Sequence, residues 1–263
     1  MQEIKVYDVI NEDSFNPVIL TCEHASNKIP EGYDNLGVST KALDTHIARD
    51  KGCKKLTEML AKRLGATAFI AGYSRLFIDY NRRENEDSLI VDESDKVLVP
   101  GNLNISDKER EYRIKNYHRP YYQAIFEKIE SLQKKGITPK IFSIHGFTPQ
   151  LRGGSFRPWH AGVLYVKENP FAEKILRELK GYKEIVSGAN VPYDMRQYNT
   201  GAAAICGEDI GLENAVIEIR DTEFEDIEQG CWKWADILEK AVREGCASGT
   251  APREAAPCVQ QTA

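Results

Sequence analysis

Apolar positions along the chain follow two different periods. A helical spacing runs through Thr40–Gly65, Asn169–Gly181 and Cys231–Gly245. Short β-rich apolar runs predict buried strands at PVILTC (17–22), ATAFIAG (66–72), KIFSIHGF (140–147), AGVLYVK (161–167) and NAVIEIRD (214–221). Because these strands alternate with helices, the pattern predicts an α/β fold with a single domain. Its central sheet should be mostly parallel or mixed, with helices on both faces.

Local signals refine this prediction. Ser106 and Glu109 have capping-box spacing, and the helix they begin should be interrupted near Pro120. Asn169 is expected to cap a helix with Pro170 in its first turn. The run SRLFIDYNR should begin as a strand, and the polar stretch after it could form a hairpin. From Ala247 the composition shifts to Ala, Pro, Gly, Gln and Thr, which predicts a disordered tail over 247–263.

Charge and cysteine content narrow the function classes. The net charge is -5 with both signs interspersed, so a nucleic-acid partner is not expected. No apolar run reaches the ~18 residues of a membrane span, and the N-terminus lacks a signal-peptide pattern. The six cysteines form no CxxC pair, which is typical of reduced thiols. We therefore expect a cytoplasmic protein that does not associate with membranes.

Polar side chains lie at the carboxyl ends of the predicted strands. In open α/β sheets, ligands bind beyond the carboxyl ends of strands, so these residues could converge on one site. A lone histidine at such a position is more often structural, and only the set as a whole favours chemistry. The set comprises Glu23, His24, Asn81, Arg82, His145, Arg157, His160 and Glu218.

Seven separated blocks of the sequence resemble one family. They are CEHASNKIP, HIARDKG, SRLFIDYNR, SIHGFTP, RPWHAGVLY, NVPYD and VIEIR, spread over roughly residues 17 to 240. In content and order they resemble the N-formylglutamate amidohydrolase family, which is related to zinc carboxypeptidases and aspartoacylases. The resemblance implies a zinc-carboxypeptidase-like catalytic domain over 1–246. It also implies hydrolysis of the amide of an N-acyl amino acid, such as N-formylglutamate.

The residue types suit that reaction. The resemblance makes His24 and His145 ligands of one divalent metal, most simply Zn²⁺, which polarises a carbonyl and acidifies water. Glu218, between two isoleucines, would act as the general base. Asn81 and Arg82 would hold the carboxylate of a small-molecule substrate, because a guanidinium matches that planar anion.

A third metal ligand is left open by the sequence. The carboxypeptidases use His-x-x-Glu, but the residue three after His24 is Asn27, a weak zinc ligand. Glu23 is adjacent to His24 but should point to the other face of a continuing strand. His46 and Asp50 are four apart in a predicted helix and share a face, so one could complete the site. The alternative is a solvated intrahelical polar pair.

Further substrate contacts are expected from two blocks. Arg157 and His160 lie in RPWHAGVLY, and Tyr193 lies in the predicted pocket loop NVPYD. Arg75 could bind an anion or form a surface ion pair. Cys206 stands where relatives have His, which leaves the acyl group and the amino acid open.

Two other interpretations remain at this point. A metal-free module could bind small carboxylate ligands through Arg82 and Arg157. A different hydrolase could use Cys22 or Cys206 as its nucleophile. The WKW sequence at 232–234 predicts either core packing or a homodimer contact.

Overall fold

The computed structural model describes residues 5–246, so the predicted tail over 247–263 lies outside the described residues. Within this range, seven strands form one sheet in the order β1-β3-β2-β6-β9-β7-β8. Neighbours run parallel except β1 beside β3 and β7 beside β9. These strands are β1 (Tyr7–Ile10), β2 (Val18–Cys22), β3 (Thr67–Ala71), β6 (Lys140–Phe147), β7 (Ala161–Leu164), β8 (Ser187–Ala189) and β9 (Asn214–Arg220). The sequence-based prediction of an α/β fold with a mostly parallel sheet is confirmed.

A separate hairpin joins β4 (Glu93–Ser94) to β5 (Val97–Leu98), as the polar stretch suggested. The helices cover both faces of the large sheet. They are α1 (Thr40–Leu43), α2 (Cys53–Leu64), α3 (Asp107–Arg113), α4 (Arg119–Gln133), α5 (Pro170–Lys180), α6 (Met195–Tyr198), α7 (Gly201–Ile205) and α8 (Ile227–Cys246).

Two apolar clusters lie on opposite faces of the sheet. Helices α2, α5 and α8 pack on one face against residues such as Leu20, Ile144 and Ile217. Helix α4 and the segment 73–80 pack on the other face, where Ile19 and Phe69 point. Successive strand residues alternate between the clusters because side chains of a strand point alternately to its two faces. Trp234 is fully buried in the first cluster, whereas Trp232 is 52% exposed.

Several local predictions are confirmed. Ser106 accepts a hydrogen bond from the Glu109 amide, and Asn169 accepts one from the Ala172 amide at the start of α5. A π-helical turn over Ile114–His118 separates α3 from α4, close to the predicted interruption at Pro120. Within residues 5–246, no helix is both long enough and apolar enough to cross a membrane.

Two predictions of secondary structure are wrong. The expected helix over Thr40–Gly65 is two helices, α1 and α2, separated by turns over 44–52. The run SRLFIDYNR forms turns rather than a strand, although Leu76, Phe77 and Ile78 are fully buried. In the turns over 44–52 and in SRLFIDYNR, the buried apolar residues belong to the second cluster but lie outside any helix or strand, so an apolar pattern there reflects burial rather than regular structure.

Candidate metal centre

Three adjacent parallel strands bring the site together. Strands β2, β6 and β9 are neighbours, and their carboxyl ends lie at the same edge of the sheet. His24 follows β2, while His145 and Glu218 are paired in register on β6 and β9. Both paired residues point away from the face that buries Ile144 and Ile217. Polar residues more than a hundred positions apart therefore meet at one place.

Asp50 reaches this place from the turns between α1 and α2. Its amide donates to the His24 carbonyl at 2.9 Å, and its Oδ2 accepts from the Gly146 amide at 3.0 Å. Gly52 follows in the left-handed region, with φ of 80°, and begins α2. In a continuous helix the Asp50 amide would donate to the carbonyl of His46, four residues earlier, and could not donate to His24. The break in the predicted helix thus places the Asp50 carboxylate beside the two histidines.

His24, Asp50 and His145 form a compact triangle that could hold a metal ion. Asp50 Oδ2 lies 3.3 Å from Nδ1 of each histidine, and the two Nδ1 atoms are 3.1 Å apart. Ligands at zinc distances of about 2.0–2.1 Å and tetrahedral angles would be about 3.3 Å apart. All three side chains are buried. The donor set and its spacing therefore fit a divalent metal.

Each imidazole also contacts a second buried carboxylate. His24 Nε2 lies 2.7 Å from Asp79 Oδ1, and His145 Nε2 lies 2.8 Å from Glu23 Oε2. Glu23 is therefore beside the triangle rather than in it. Asp79 is a residue of the site that sequence reasoning did not single out. The sequence offered one indication of Asp79: it lies in the block SRLFIDYNR, four residues after Arg75.

Negative charge is concentrated around the histidines. Burial alone would raise the pKa of Asp50, but the charges and hydrogen bonds of His24 and His145 hold it well below its usual range. Glu23 and Asp79 follow the same pattern: burial opposes ionisation, but His145 lowers the pKa of Glu23, and Arg75 with His24 lowers that of Asp79. The pKa of His145 is raised, because these carboxylates outweigh its burial. The site favours a positive charge between its acids.

Glu218 is buried next to this cluster and is held differently from the other acids. Its Oε2 has no hydrogen-bond partner within the described chain. Burial raises the pKa of the Glu218 carboxyl to about 7, partly offset by the nearby histidines. Arg220 lies two residues on but contacts Thr222 and Glu223, so it does not neutralise Glu218. A carboxyl group in this state can accept or donate a proton near neutral pH.

Arg75 extends over the cluster from the segment after β3. Its Nη2 donates to Asp79 Oδ2 at 3.1 Å, and its Nη1 lies 3.3 Å from His24 Nδ1 and 4.0 Å from Asp50 Oδ1. The side chain is 26% exposed, so part of it reaches solvent. Its Asp79 contact is not the exposed surface pair that the sequence suggested as an alternative.

Arg157 and Tyr193 form a second cationic group. Arg157 Nη1 donates to the Tyr193 hydroxyl at 3.0 Å and to the Thr148 carbonyl at 3.3 Å. The guanidinium also lies 5.0 Å from the Tyr193 ring centroid. Burial, and then the charge of Glu218, raise the pKa of Tyr193, so this ring lies within electrostatic reach of Glu218. Across residues 5–246, no carboxylate is within ion-pair distance of Arg157.

Other predicted metal ligands lie outside the triangle. His46 Nε2 is 3.2 Å from Asp95 Oδ2, although His46 and Asp50 line the same cavity of about 640 Å³. Asn27 donates to Asp44 at 2.9 Å. Of the four candidates for a third ligand, Asp50 is the one that the structure places with His24 and His145.

The remaining predicted substrate residues are engaged elsewhere. Arg82 donates to the Asn81 carbonyl and lies 3.9 Å from Glu86. The Asn81 side chain packs against Gly201, where a Cβ atom would come within 1.8 Å of Oδ1. His160 Nδ1 accepts from the Val186 amide. The structure does not bring these three residues to the triangle through any contact within the described chain, and their substrate roles stay predictions.

The cysteines proposed as alternative nucleophiles are poorly placed for that chemistry. Cys22 and Cys206 are fully buried. Burial, followed by the nearby carboxylate of Glu23, raises the pKa of both thiols well above the usual range. Since the thiolate is the reactive form, these environments argue against a cysteine hydrolase.

Comparison with known proteins gives the family. The model of the N-formylglutamate amidohydrolase family matches residues 16–224. The structure resembles the gene product Atu2144 from Agrobacterium tumefaciens, with 29% identity, a TM-score of 0.85, and coverage of 92% of this chain and 95% of that one. N-formylglutamate amidohydrolase from Ralstonia eutropha JMP134 shares the fold at 18% identity and a TM-score of 0.69, covering 92% and 97%. No curated protein matches the chain in sequence. The sequence resemblance is thereby confirmed: the chain belongs to the N-formylglutamate amidohydrolase family and is an amidohydrolase.

Proposed function

We propose that this protein is a metal-dependent hydrolase of N-formylglutamate or a closely similar N-acyl amino acid. The observation that carries the proposal is the triangle of His24, Asp50 and His145, with Glu218 beside it. Two neutral nitrogen ligands, one carboxylate and a separate buried carboxyl group are the parts that metal-assisted amide hydrolysis requires.

His24, His145 and Asp50 would hold the metal, and Zn²⁺ suits this mixed nitrogen and oxygen donor set. When bound there, a divalent cation acts as a Lewis acid toward the amide carbonyl and makes water more acidic. Three protein ligands are the number that catalytic zinc sites use, and a metal held this way would be able to bind water or substrate as well.

Glu218 handles the proton. It takes a proton from the attacking water while the water oxygen forms a bond to the formyl carbon. It then gives that proton to the departing nitrogen as the carbon–nitrogen bond breaks. The products are formate and the free amino acid, and Glu218 returns to its starting state. Its raised pKa of about 7 suits a group that must both accept and release a proton.

Arg75 supports the charge that develops on the carbonyl oxygen. Its guanidinium is held against Asp79 and reaches within 3.3 Å of His24 Nδ1. A positive group fixed in advance beside the reacting carbonyl stabilises the transition state without having to reorganise.

Arg157 and Tyr193 would bind the carboxylate of the substrate. Arg157 uses Nη1 for its protein contacts and has no carboxylate partner among residues 5–246, so the rest of its fork can bind a planar anion. Arg82, the candidate from the sequence, has the Glu86 carboxylate 3.9 Å away in addition to its contact with the Asn81 carbonyl. We therefore prefer Arg157 as the specificity group.

A hydrolysis assay tests the proposed function. The purified protein should release formate from N-formylglutamate, lose activity after treatment with a chelator, and recover with about one equivalent of Zn²⁺. A panel of N-formyl and N-acetyl amino acids would identify the preferred acyl group and side chain. Binding of N-formylglutamate without turnover, with or without zinc, would favour the carboxylate-binding module instead.

Substitution of Arg157 tests the specificity group. Arg157→Lys should raise KM for N-formylglutamate by about tenfold or more, because ammonium lacks the two-pronged geometry. The effect should be much smaller for the matching substrate whose α-carboxylate is an amide. Arg82→Lys is the matched comparison and should change KM little. If Arg82→Lys raised KM more than Arg157→Lys did, Arg82 would be the residue that binds the substrate carboxylate.

We also propose a cytoplasmic location. Five cysteines within the described chain are free, and four of them are buried, which suits a reducing compartment. Cell fractionation with a tagged full-length chain would test this assignment.

A further inference from the structure

The two histidines of the triangle share one feature that the proposed reaction does not use. On each ring the nitrogen facing away from the triangle contacts a carboxylate, Asp79 for His24 and Glu23 for His145, at 2.7 and 2.8 Å. These carboxylate side chains are almost fully buried, with exposed fractions of 6% and 0%. Neither acid belongs to the three residues that could bind the metal.

Such a contact selects one form of a neutral imidazole. A carboxylate only accepts hydrogen bonds, so the nitrogen facing it must carry the proton. Nε2–H of His24 therefore donates to Asp79, and Nε2–H of His145 donates to Glu23. Nδ1 of each ring then faces Asp50 Oδ2 at 3.3 Å, and the two Nδ1 atoms are 3.1 Å apart. Nδ1 of His24 also lies 3.3 Å from Nη1 of Arg75. Three acceptor atoms this close repel one another unless a cation or a proton lies among them.

The carboxylates of Asp79 and Glu23 differ in how many of their oxygen atoms accept hydrogen bonds. Asp79 Oδ1 also accepts from the Asn81 amide at 2.8 Å, and its Oδ2 accepts from Arg75 at 3.1 Å. Glu23 has one oxygen, Oε1, with no partner among residues 5–246. Burying a carboxylate with an unsatisfied oxygen is costly, so its retention here calls for a compensating role.

We propose that Glu23 and Asp79 are positioning residues that fix the Nε2–H form of both histidines and aim their Nδ1 atoms at one metal. The inference rests on the metal site of the proposed function and adds two residues to it. Outer carboxylates of this kind orient the ring, and removing one typically weakens metal affinity by about 10–100-fold.

A graded series at Glu23 separates positioning from general stability. Glu23→Gln keeps an oxygen that can accept from Nε2–H but loses the charge, so zinc affinity should fall by less than about tenfold. Glu23→Met keeps the approximate shape and removes the acceptor, so the loss should reach about 10–100-fold. Asp79→Asn should weaken affinity as well. Glu84→Gln is the control, because Glu84 lies 3.8 Å from another buried histidine, His118, away from the site.

Two readouts test the proposal. Competition with a chromophoric chelator gives the zinc affinity of each variant, with circular dichroism checking that it is folded. Imidazole ¹⁵N shifts of the metal-free protein give the protonated nitrogen of each ring, with His24→Gln and His145→Gln used for assignment. The wild type should show a proton on Nε2 of both rings, whether or not Nδ1 is also protonated, and Glu23→Gln should keep that proton on His145 more fully than Glu23→Met.

Either of two results would overturn the inference. One is zinc affinity in both Glu23 variants within about twofold of wild type, and the other is an Nε2 without a proton on His24 or His145 in the wild type. If the wild type bound no metal, the proposed function would fail, but the ¹⁵N measurement would still decide which nitrogen carries the proton. The two failures are thus distinguishable.

Discussion

Glu218 is the residue on which the proposed chemistry depends most directly. It is buried between Ile217 and Ile219 and has an oxygen without a partner in the described chain. A buried carboxyl group of this kind costs free energy that neighbouring Arg220 does not repay, because Arg220 contacts Thr222 and Glu223. An ion pair with Arg220 is therefore not what holds Glu218, and the proposed role in proton transfer would account for its presence at this place.

The substitution Glu218→Gln tests this role, since it keeps the shape and removes the proton acceptor. The variant should bind metal and substrate normally, while kcat falls by about 10²–10⁴-fold and the acid limb of the pH profile changes. Rates of formate release as a function of pH give the answer. Glu213→Gln, at the opposite end of β9, is the control and should retain wild-type kcat. Near wild-type turnover in the Glu218 variant would remove this residue from the mechanism.

At the residue scale, the sequence indicated part of the site and missed the rest for definable reasons. His24, His145 and Glu218 could be predicted because they stand at the ends of recognisable apolar strands. Asp79 could not, and for Arg75 the choice between an anion site and a surface ion pair stayed open, because their segment has no regular structure and only its fold around the site brings them near His24.

The segment 44–52 is the element that completes the site. It lies between α1 and α2 and places Asp50 against His24 and Gly146. Ile47 and Ala48 are buried at spacings that also suit a helix, which is why the sequence predicted one. The alternatives at His46 and Asp50 could not be separated while both were assigned to one helical face. The tertiary contacts of Asp50 place it, and not His46, beside His24 and His145.

Gly52 fixes the end of this segment. Its φ is 80°, and an added Cβ would lie 2.4 Å from the Phe224 ring. Gly52→Ala should therefore lower stability by more than the ~1 kcal/mol of a left-handed alanine, and it should weaken zinc affinity by moving Asp50. Thermal melts and chelator competition measure the two effects.

Gly65→Ala provides the matched control for that experiment. Gly65 also has a positive φ, of 63°, but an added Cβ would meet nothing within 4 Å. This variant should show only the backbone cost and unchanged zinc affinity. Equal effects of the two substitutions on stability and on zinc affinity would mean that Gly52 does not position the site.

For the molecule as a whole, the charge of the site links folding to pH. The folded pKa of Glu218 is about 7, above its ordinary value of 4.5, so the folded state keeps a proton that the unfolded chain releases. Stability from this group is therefore present below pH 4.5 and is lost as pH rises toward 7, by an amount on the order of 3 kcal/mol at most. The titratable and charged groups that face Glu218 are His24, His145, Asp50, Arg75, Tyr193 and Cys53.

Comparing wild type with Glu218→Gln isolates this contribution, because the other groups titrate in both proteins. In chelator-treated samples, the stability of the variant relative to wild type should increase between pH 5 and pH 8. Urea unfolding at the two pH values measures the difference. A relative stability that does not change with pH would show that Glu218 has an ordinary pKa in the folded protein.

The fold was predictable at this scale because the alternation of strands and helices is a property of the whole chain. Which residues meet was harder to predict, since His24 and His145 are 121 positions apart and come together through the pairing of β2 with β6. The division into a catalytic domain over 1–246 and a tail stays a prediction, as does the homodimer.

The metal content of the purified protein tests the central claim most directly. Wild-type protein, and a His46→Ala control that leaves the triangle intact, should each carry about one zinc per chain by elemental analysis. Asp50→Ala should carry far less while remaining folded, because it removes the ligand 3.3 Å from both histidine nitrogens. Full metal occupancy in Asp50→Ala, or its loss in His46→Ala alone, would contradict a metal site built from His24, Asp50 and His145.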